Sequence, residues 1–292
     1  MFKQLGYILK TMRPRQWTKN IFVLAAIVFD KQLLNPQSLL VTFIAVVLFC
    51  LVSSLVYIIN DLVDIEADRQ HPQKRSRPLA SGALAKSWAV GAAIILAAIT
   101  FPASFLLSTG FGLIISGYFA LNLAYSFWLK NIPLLDVMAI AIGFVLRVAS
   151  GLTIIVTQQF SPWLFVATTF LALFMALGKR RSEMALLAQG AGSHRKVLEG
   201  YSLALLDQLL MTMVSATLIT YCLYTFSSSA APGSYAMMLT IPFVIYALFR
   251  YLFLLHDGSI GGAPEDVLFT DRPFQIAVLL WAAVVVLILY LF

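Results

Sequence analysis

The 292-residue chain is 61% hydrophobic and only 11% charged, with a mean hydropathy of +0.89. Soluble domains are about 45–50% apolar and about 25% charged, so 13 acidic and 20 basic residues cannot cover a water-facing surface of this size. A disordered chain, a disulfide scaffold and a nucleic-acid-binding domain are excluded, and the net charge of +7 must be read by its placement.

The first nineteen or so residues are basic and aromatic, and no short apolar stretch ends at a small-residue cleavage site, so no cleavable signal peptide is expected. A membrane-spanning helix needs about 20 mostly apolar residues. Nine segments qualify, near residues 20–35, 38–60, 86–107, 110–129, 132–156, 162–178, 203–226, 235–254 and 273–292. Gly and Pro punctuate the breaks at Asn35-Pro36, Thr109-Gly110, Asn131-Ile132-Pro133, Ser161-Pro162 and Pro232-Gly233. The expectation is an all-α polytopic membrane protein with nine transmembrane helices, a single domain over residues 1–292.

Charge placement orients that scheme. With a cytoplasmic N-terminus, eighteen of the twenty Lys and Arg residues fall on the inner side or at its helix boundaries. Lys31 alone is then outside and Arg147 alone lies well inside a span, Arg250 standing at an inner helix boundary, the bias of the positive-inside rule. Among the acids only Asp30 falls outside. Chemistry is therefore expected at the cytoplasmic face of a bacterial-type inner membrane. Cys50 and Cys222 sit far apart in apolar runs and read as packing residues. His71, His194 and His256 form no helical pair, so no zinc site is expected.

The most informative segment is Asn60-Asp61-Leu62-Val63-Asp64-Ile65-Glu66-Ala67-Asp68-Arg69. On a continuing helix Asp61, Asp64 and Asp68 fall within about 60° of one another, with Asn60 on the same side and Glu66 opposite. Carboxylates crowded on one face repel each other, and at a helix C-terminus they also oppose the macrodipole. A hard divalent cation relieves both, and Mg²⁺ favours carboxylates shared with phosphate oxygens. The next loop carries Arg69, His71, Lys74, Arg75 and Arg77. Such charges serve as membrane anchors, and beside a carboxylate row they also make a clamp for phosphate oxygens.

Asn60-Asp61-x-x-Asp64-x-x-x-Asp68, followed by Lys74-Arg75-x-Arg77-Pro78-Leu79, resembles the first aspartate-rich motif of the UbiA-type intramembrane prenyltransferase superfamily. Tyr125-Ser126-x-x-Leu129-Lys130 after the fourth span fits the same pattern, and the resemblance covers the whole chain. It implies a UbiA-type bundle in which Asp61, Asp64 and Asp68 bind Mg²⁺ and a diphosphate leaving group.

After the sixth span the superfamily carries a second aspartate-rich motif, whereas this chain has Gly178-Lys179-Arg180-Arg181-Ser182-Glu183. That departure argues against a standard aromatic prenyltransferase. Arg13-Pro14-Arg15-Gln16-Trp17-Thr18-Lys19-Asn20, Phe144 to Gly151, Leu205-Leu206-Asp207-Gln208 and Pro264-Glu265-Asp266 through Asp271-Arg272-Pro273 resemble the decaprenyl-phosphate phosphoribosyltransferase branch. The resemblance implies Mg²⁺-dependent transfer of 5-phosphoribosyl from phosphoribosyl diphosphate to a polyprenyl phosphate, feeding arabinose-type cell-envelope precursors. The acceptor phosphate is already an anionic nucleophile, so no general base is required.

Lys19, Asn60, Arg69, Lys74, Arg75, Arg77, Tyr125, Lys130, Arg147, Lys179 and Arg180 are the expected substrate-binding residues, with Arg15 and Arg181 as further phosphate holders. Arg147, in mid-span at a cost of about 2.5–3.5 kcal/mol, is expected to face a polar pocket rather than a structural partner. Asn122 is expected near that pocket, and Tyr125 serves equally well as an interfacial aromatic. The expected partners are the two substrates and membrane lipids, with no nucleic acid; a homo-oligomer is compatible with the sequence and not specified by it. The enzyme rival is transfer of a polyprenyl group from its diphosphate to an aromatic acceptor. A transporter would need paired polar groups inside the membrane, and only Arg147 is charged well inside a span, the other charges within spans standing within five residues of an edge.

Overall fold

In the structure, a computed structural model, residues 2–70, 74–156, 161–188, 196–227, 235–258 and 264–291 are described. Among them every regular element is helical, with no strand. The α-helices are α1 (Phe2–Met12), α2 (Ala25–Phe29), α3 (Pro36–Val63), α4 (Ile65–Gln70), α5 (Lys86–Leu107) and α6 (Thr109–Phe127). They continue with α7 (Leu135–Leu152), α8 (Pro162–Ala188), α9 (Leu203–Ser227), α10 (Ile241–His256), α11 (Pro264–Thr270) and α12 (Arg272–Leu291).

Eight of the nine expected spans are helices long and apolar enough to cross a membrane: α3, α5, α6, α7, α8, α9, α12 and the run 236–256 that contains α10. Their outward residues suit hydrocarbon and not water, as with Ile94 (64% exposed), Leu106 (88%) and Leu279 (68%). The first expected span is different. Residues Pro14–Leu24 form a 3₁₀ helix, and only Ala25–Phe29 continue as α-helix. Arg15, Lys19 and Asn20 make this stretch too polar for a lipid-facing helix. The Asn20 side chain is fully buried and donates to Cys50 Sγ at 3.3 Å.

The start of α3 illustrates how local chemistry sets an element. Asn35 accepts hydrogen bonds from the backbone N–H groups of Gln37 (3.0 Å) and Ser38 (3.3 Å), and Pro36 occupies the first turn, where its missing N–H costs nothing. At 28 residues α3 is about 42 Å long, longer than the hydrocarbon core of about 30 Å. Its polar C-terminal turn therefore extends beyond the apolar layer.

The chain divides into two compact units: residues 1–28, 32–128 and 146–157, and residues 29–31, 129–145 and 158–292. In the first unit the core is built on Phe49, which meets Phe111 (5.9 Å) and Tyr118 (5.3 Å) edge to face, among Val23, Ala45, Val52 and Ile115. A second cluster joins Met12 of α1 to Ile58, Ile65, Leu79 and Leu84. In the second unit Phe174, Leu206, Leu210, Tyr251 and Leu254 centre the core. There Asp271 caps α12 by accepting the Phe274 N–H at 2.8 Å, and it receives the Arg250 fork at 3.2 and 2.8 Å. The guanidinium holds the Asp271 carboxyl below the usual carboxylate range.

Gly151, near the end of α7, lets the 3₁₀ segment lie against it: a Cβ there would stand 2.5 Å from the Val23 carbonyl oxygen. Gly151→Ala is expected to destabilise the first unit by about 1–3 kcal/mol, read as a lowered thermal unfolding midpoint of the purified protein in detergent. An unchanged midpoint would show that the 3₁₀ segment is not held there.

Candidate functional site

The expected carboxylate row does not sit on one continuous helix. α3 ends at Val63, and Asp64 (φ −92°, ψ 11°) forms a bend before α4 begins. Seven residues of straight helix would rise about 10.5 Å. Across the bend, instead, one nitrogen of Arg77 donates to both Asp61 Oδ1 (3.2 Å) and Asp68 Oδ2 (2.6 Å). These two carboxylates are 2% and 3% exposed, while Asp64 is half-buried at the bend.

Two further cations stand on the pair. Arg13 Nη2 donates to Asp61 Oδ1 at 2.5 Å, and Lys74 Nζ lies 3.9 Å from Asp68 Oδ1. Arg13 has left-handed backbone angles (φ 54°, ψ 63°), a conformation that costs an ordinary residue about 1–2 kcal/mol. Its guanidinium lies 4.7 Å over the Tyr57 ring, an attractive cation–π placement. Trp17 donates to Ser54 Oγ at 3.0 Å and pins the following residues to α3. The loop that delivers Arg77 is folded back by Arg69, whose Nε donates to the Ala80 carbonyl (3.1 Å) and whose Nη1 meets Glu66 (2.9 Å). Asn60, one residue before Asp61, accepts from Ser126 Oγ of α6 at 2.5 Å.

Buried carboxylates need countercharge, and here a guanidinium nitrogen supplies it. That nitrogen stands where a small cation would meet both groups. No three His, Cys, Asp or Glu side chains gather into a metal cage among the described residues. Mg²⁺, however, is characteristically held by one or two carboxylates, with phosphate oxygens and water completing its octahedron. Asp61 and Asp68 fit that role.

The other expected residues are distributed as follows. Arg75 and Arg15 are exposed, and Lys19 and Tyr125 are half-buried in the first unit. Asn122 donates to the Tyr118 carbonyl within its own helix (2.7 Å). Arg147 is 6% exposed; its Nε donates to Asn20 Oδ1 (2.9 Å) and its Nη2 to Tyr118 Oη (2.8 Å). The expected pocket-facing role thus gives way to structural bonds, since the charge is met by polar groups packed beside it. Lys130 and Lys179 are half-buried in the second unit. His71 and His194, and the side chains of Glu265 and Asp266, lie outside the described residues.

The Lys179-Arg180-Arg181 element of the second unit is an ion-pair centre. Arg180, 1% exposed, donates to Asp136 Oδ2 and to Glu183 Oε2, both at 2.5 Å. Asp136 also accepts from Tyr201 Oη (2.7 Å), and that phenol accepts the Leu134 N–H (2.7 Å), holding Leu134 at a positive φ of 69°. Burial, reinforced by the Asp136 contact, pushes the Tyr201 phenol above its usual range, so it stays a donor. Arg181 meets Asp207 at 2.6 Å and the Leu255 carbonyl at 2.9 Å. Arg13, Tyr57, Ser126 and the Asp136–Tyr201 link were not singled out in the sequence for these roles. Arg13, preceding a proline inside a charged motif, and Ser126, inside the Tyr125 to Lys130 motif, carry a local signal; Tyr57 and the Asp136–Tyr201 link carry none.

Residues 20–264 match the family model described as the UbiA prenyltransferase family. A decaprenyl-phosphate phosphoribosyltransferase of Corynebacterium glutamicum is 35% identical over 291 residues, covering 97% of this chain and 87% of that protein. One of Mycobacterium tuberculosis is 33% identical over 287 residues, covering 95% and 92%. Among solved structures, a UbiA homolog from Archaeoglobus fulgidus bound to DMAPP and Mg²⁺ superposes with a TM-score of 0.73 at 19% identity, covering 98% of this chain and 99% of that one.

Asp136→Asn removes one of the two charges that neutralise buried Arg180. It is expected to cost about 3–5 kcal/mol of stability, seen as a large fall in the thermal midpoint. The double replacement Asp136→Asn with Arg180→Met should recover part of that loss, because the fully buried guanidinium is gone and the carboxylate that loses it, Glu183, is partly exposed (19% at its side chain). A double variant no better than the single one would sink the ion-pair account.

Proposed function

The chain belongs to the UbiA prenyltransferase family, and we propose that it transfers the 5-phosphoribosyl group of phosphoribosyl diphosphate to a polyprenyl phosphate. The products are polyprenyl-phosphoryl-5-phosphoribose and diphosphate. It is a multi-pass membrane transferase, and near-full-length identity of 33–35% to decaprenyl-phosphate phosphoribosyltransferases supports the donor and acceptor classes. The geometric observation that carries the reading is the convergence of Asp61 and Asp68 on one cationic nitrogen.

Asp61 and Asp68 would hold Mg²⁺, with Asp64 beside them at the bend. Bound there, the ion would supply positive charge to offset that on the departing diphosphate. Arg77, Lys74 and Arg13 are placed to grip phosphate oxygens, the arginines through their paired donors. Asn60, fixed by Ser126, holds the end of α3 in register with these groups. The C1–O bond of the ribose breaks with its electron pair leaving on diphosphate, and an oxygen of the polyprenyl phosphate forms the new bond to C1. The nucleophile brings its own negative charge, so no side chain has to remove a proton.

Lys19, Arg15, Lys130 and Lys179 are proposed for the ribose 5-phosphate and the lipid phosphate, on the strength of the sequence pattern. Arg180, closed in by Asp136 and Glu183, is assigned to fixing its own segment. The clustering of basic residues supports a site on the cytoplasmic side of a bacterial-type inner membrane.

The test is purified protein with radiolabelled phosphoribosyl diphosphate and decaprenyl phosphate, with Mg²⁺ or with chelator. Label is expected in the organic phase only with metal. No such transfer, together with prenylation of 4-hydroxybenzoate from a polyprenyl diphosphate, would overturn the reading. Asp61→Asn and Asp68→Asn should each lower the rate by about two to three orders of magnitude while the protein stays folded; near-normal turnover in both would refute the metal assignment.

A further inference from the structure

The carboxylate pair is already neutralised by side chains, and those side chains differ in freedom from the acids they serve. Asp61 and Asp68 are 3% and 4% exposed at their side chains, whereas Arg13 and Arg77 are 30% and 28% exposed and Lys74 is 35% exposed. The acids are fixed in the wall of the unit, and the cations reach in from a partly open side. Arg77 uses one nitrogen for both acids, and Arg13 meets the same Asp61 oxygen that Arg77 meets. A divalent ion held by Asp61 and Asp68 would need the position those nitrogens occupy.

The consequence is electrostatic. A free divalent cation approaching this pair meets three positive side chains and must displace two guanidiniums from their carboxylate partners. When diphosphate arrives with the metal, its oxygens supply that anion, and each guanidinium exchanges a carboxylate for a phosphate partner of matching fork geometry. Resting on the reading of Asp61 and Asp68 as the metal-holding residues, we propose that Arg77 and Arg13 are resident counter-cations that make metal loading conditional on diphosphate. They close the carboxylate pair to free divalent ions and open it to the metal–diphosphate complex. Metal and diphosphate therefore bind cooperatively, and the coupling resides in these two arginines.

The experiment follows binding and not turnover. Equilibrium dialysis of the detergent-purified chain against radioactive Mn²⁺, with and without inorganic diphosphate, gives the metal retained per protein. Wild type is expected to retain Mn²⁺ weakly alone and strongly with diphosphate. Arg77→Gln and Arg13→Gln should each bind Mn²⁺ alone about tenfold more tightly, within the range usual for coupled sites, and should retain labelled diphosphate less well. Adding Asp61→Asn to either variant should abolish the gain, which places the metal at this pair. Arg77→Lys keeps the charge and should keep the weak metal affinity of wild type, an outcome that lost packing alone would not give. Arg13 bonds Asp61 alone of the two acids, so Arg13→Gln carries the test if Arg77→Gln does not fold. Folded variants that bind Mn²⁺ no tighter than wild type overturn the counter-cation role while leaving the metal reading intact. Wild type that retains no Mn²⁺ even with diphosphate overturns both.

Discussion

Two carboxylates buried at the end of a membrane helix are the constraint around which the first unit is arranged. Asp61 and Asp68 cannot stay ionised in an apolar wall without positive charge close by, and several local features act to provide it. α3 continues past the apolar layer, so the carboxylates stand where a basic loop can reach them. The bend at Asp64 brings Asp68 round to the guanidinium that also serves Asp61. Arg69 folds the loop back through the Ala80 carbonyl, and Arg13 accepts a left-handed backbone to bring its own guanidinium in. Each of these is unfavourable or neutral in isolation; together they satisfy one pair of acids.

The second unit solves the same problem with the signs exchanged. There the buried group is Arg180, and Asp136 and Glu183 surround it while Tyr201 fixes Asp136. Arg147 shows a third solution, a buried cation held by neutral Asn20 and Tyr118 and lying 4.8 Å over the Tyr118 ring. The few charges in this chain are thus largely committed to one another. A positive excess of seven does not mean seven cations waiting for phosphate, and the residues able to change partner are those that are partly exposed.

The eight long helices were legible because hydrocarbon thickness dictates the length of an apolar run, and α3 begins at the Asn35-Pro36 pair for reasons visible in those two residues. The first expected span is a 3₁₀ segment running into one short α-helix and not a long α-helix; hydropathy counts Ile21 to Phe29 without weighing Asn20, a buried polar group that bonds Cys50 thirty residues away. The carboxylates were recognisable from spacing, yet spacing presumes a continuous helix, and Asp64 bends it. In sequence Arg180 looks like a phosphate holder because its partner Asp136 is 44 residues distant, and such pairing has no local signature. Arg147 was placed at a pocket by its cost in the membrane; cost alone cannot tell a ligand site from a hydrogen-bonded core. Local chemistry carries over from sequence, and long-range pairing of polar groups does not.

A site made of opposed charges explains how one fold accommodates different donors. The solved relative from Archaeoglobus fulgidus holds DMAPP with Mg²⁺, whereas the curated relatives are phosphoribosyltransferases. Phosphoribosyl and prenyl diphosphates share the diphosphate and little else. On the proposed reading, carboxylates, guanidiniums and a divalent ion would recognise only that shared part; in either reaction bond breaking leaves negative charge there while positive charge develops on carbon. Stabilising the departing diphosphate is therefore a service to either reaction. Discrimination has to come from groups that meet the remainder of the donor and the acceptor, and on the proposed reading Lys179 of the basic element would be among them. A ribose carrying its own phosphate, and a lipid whose head is a phosphate, both favour cations where a prenyl chain and a neutral aromatic ring would not.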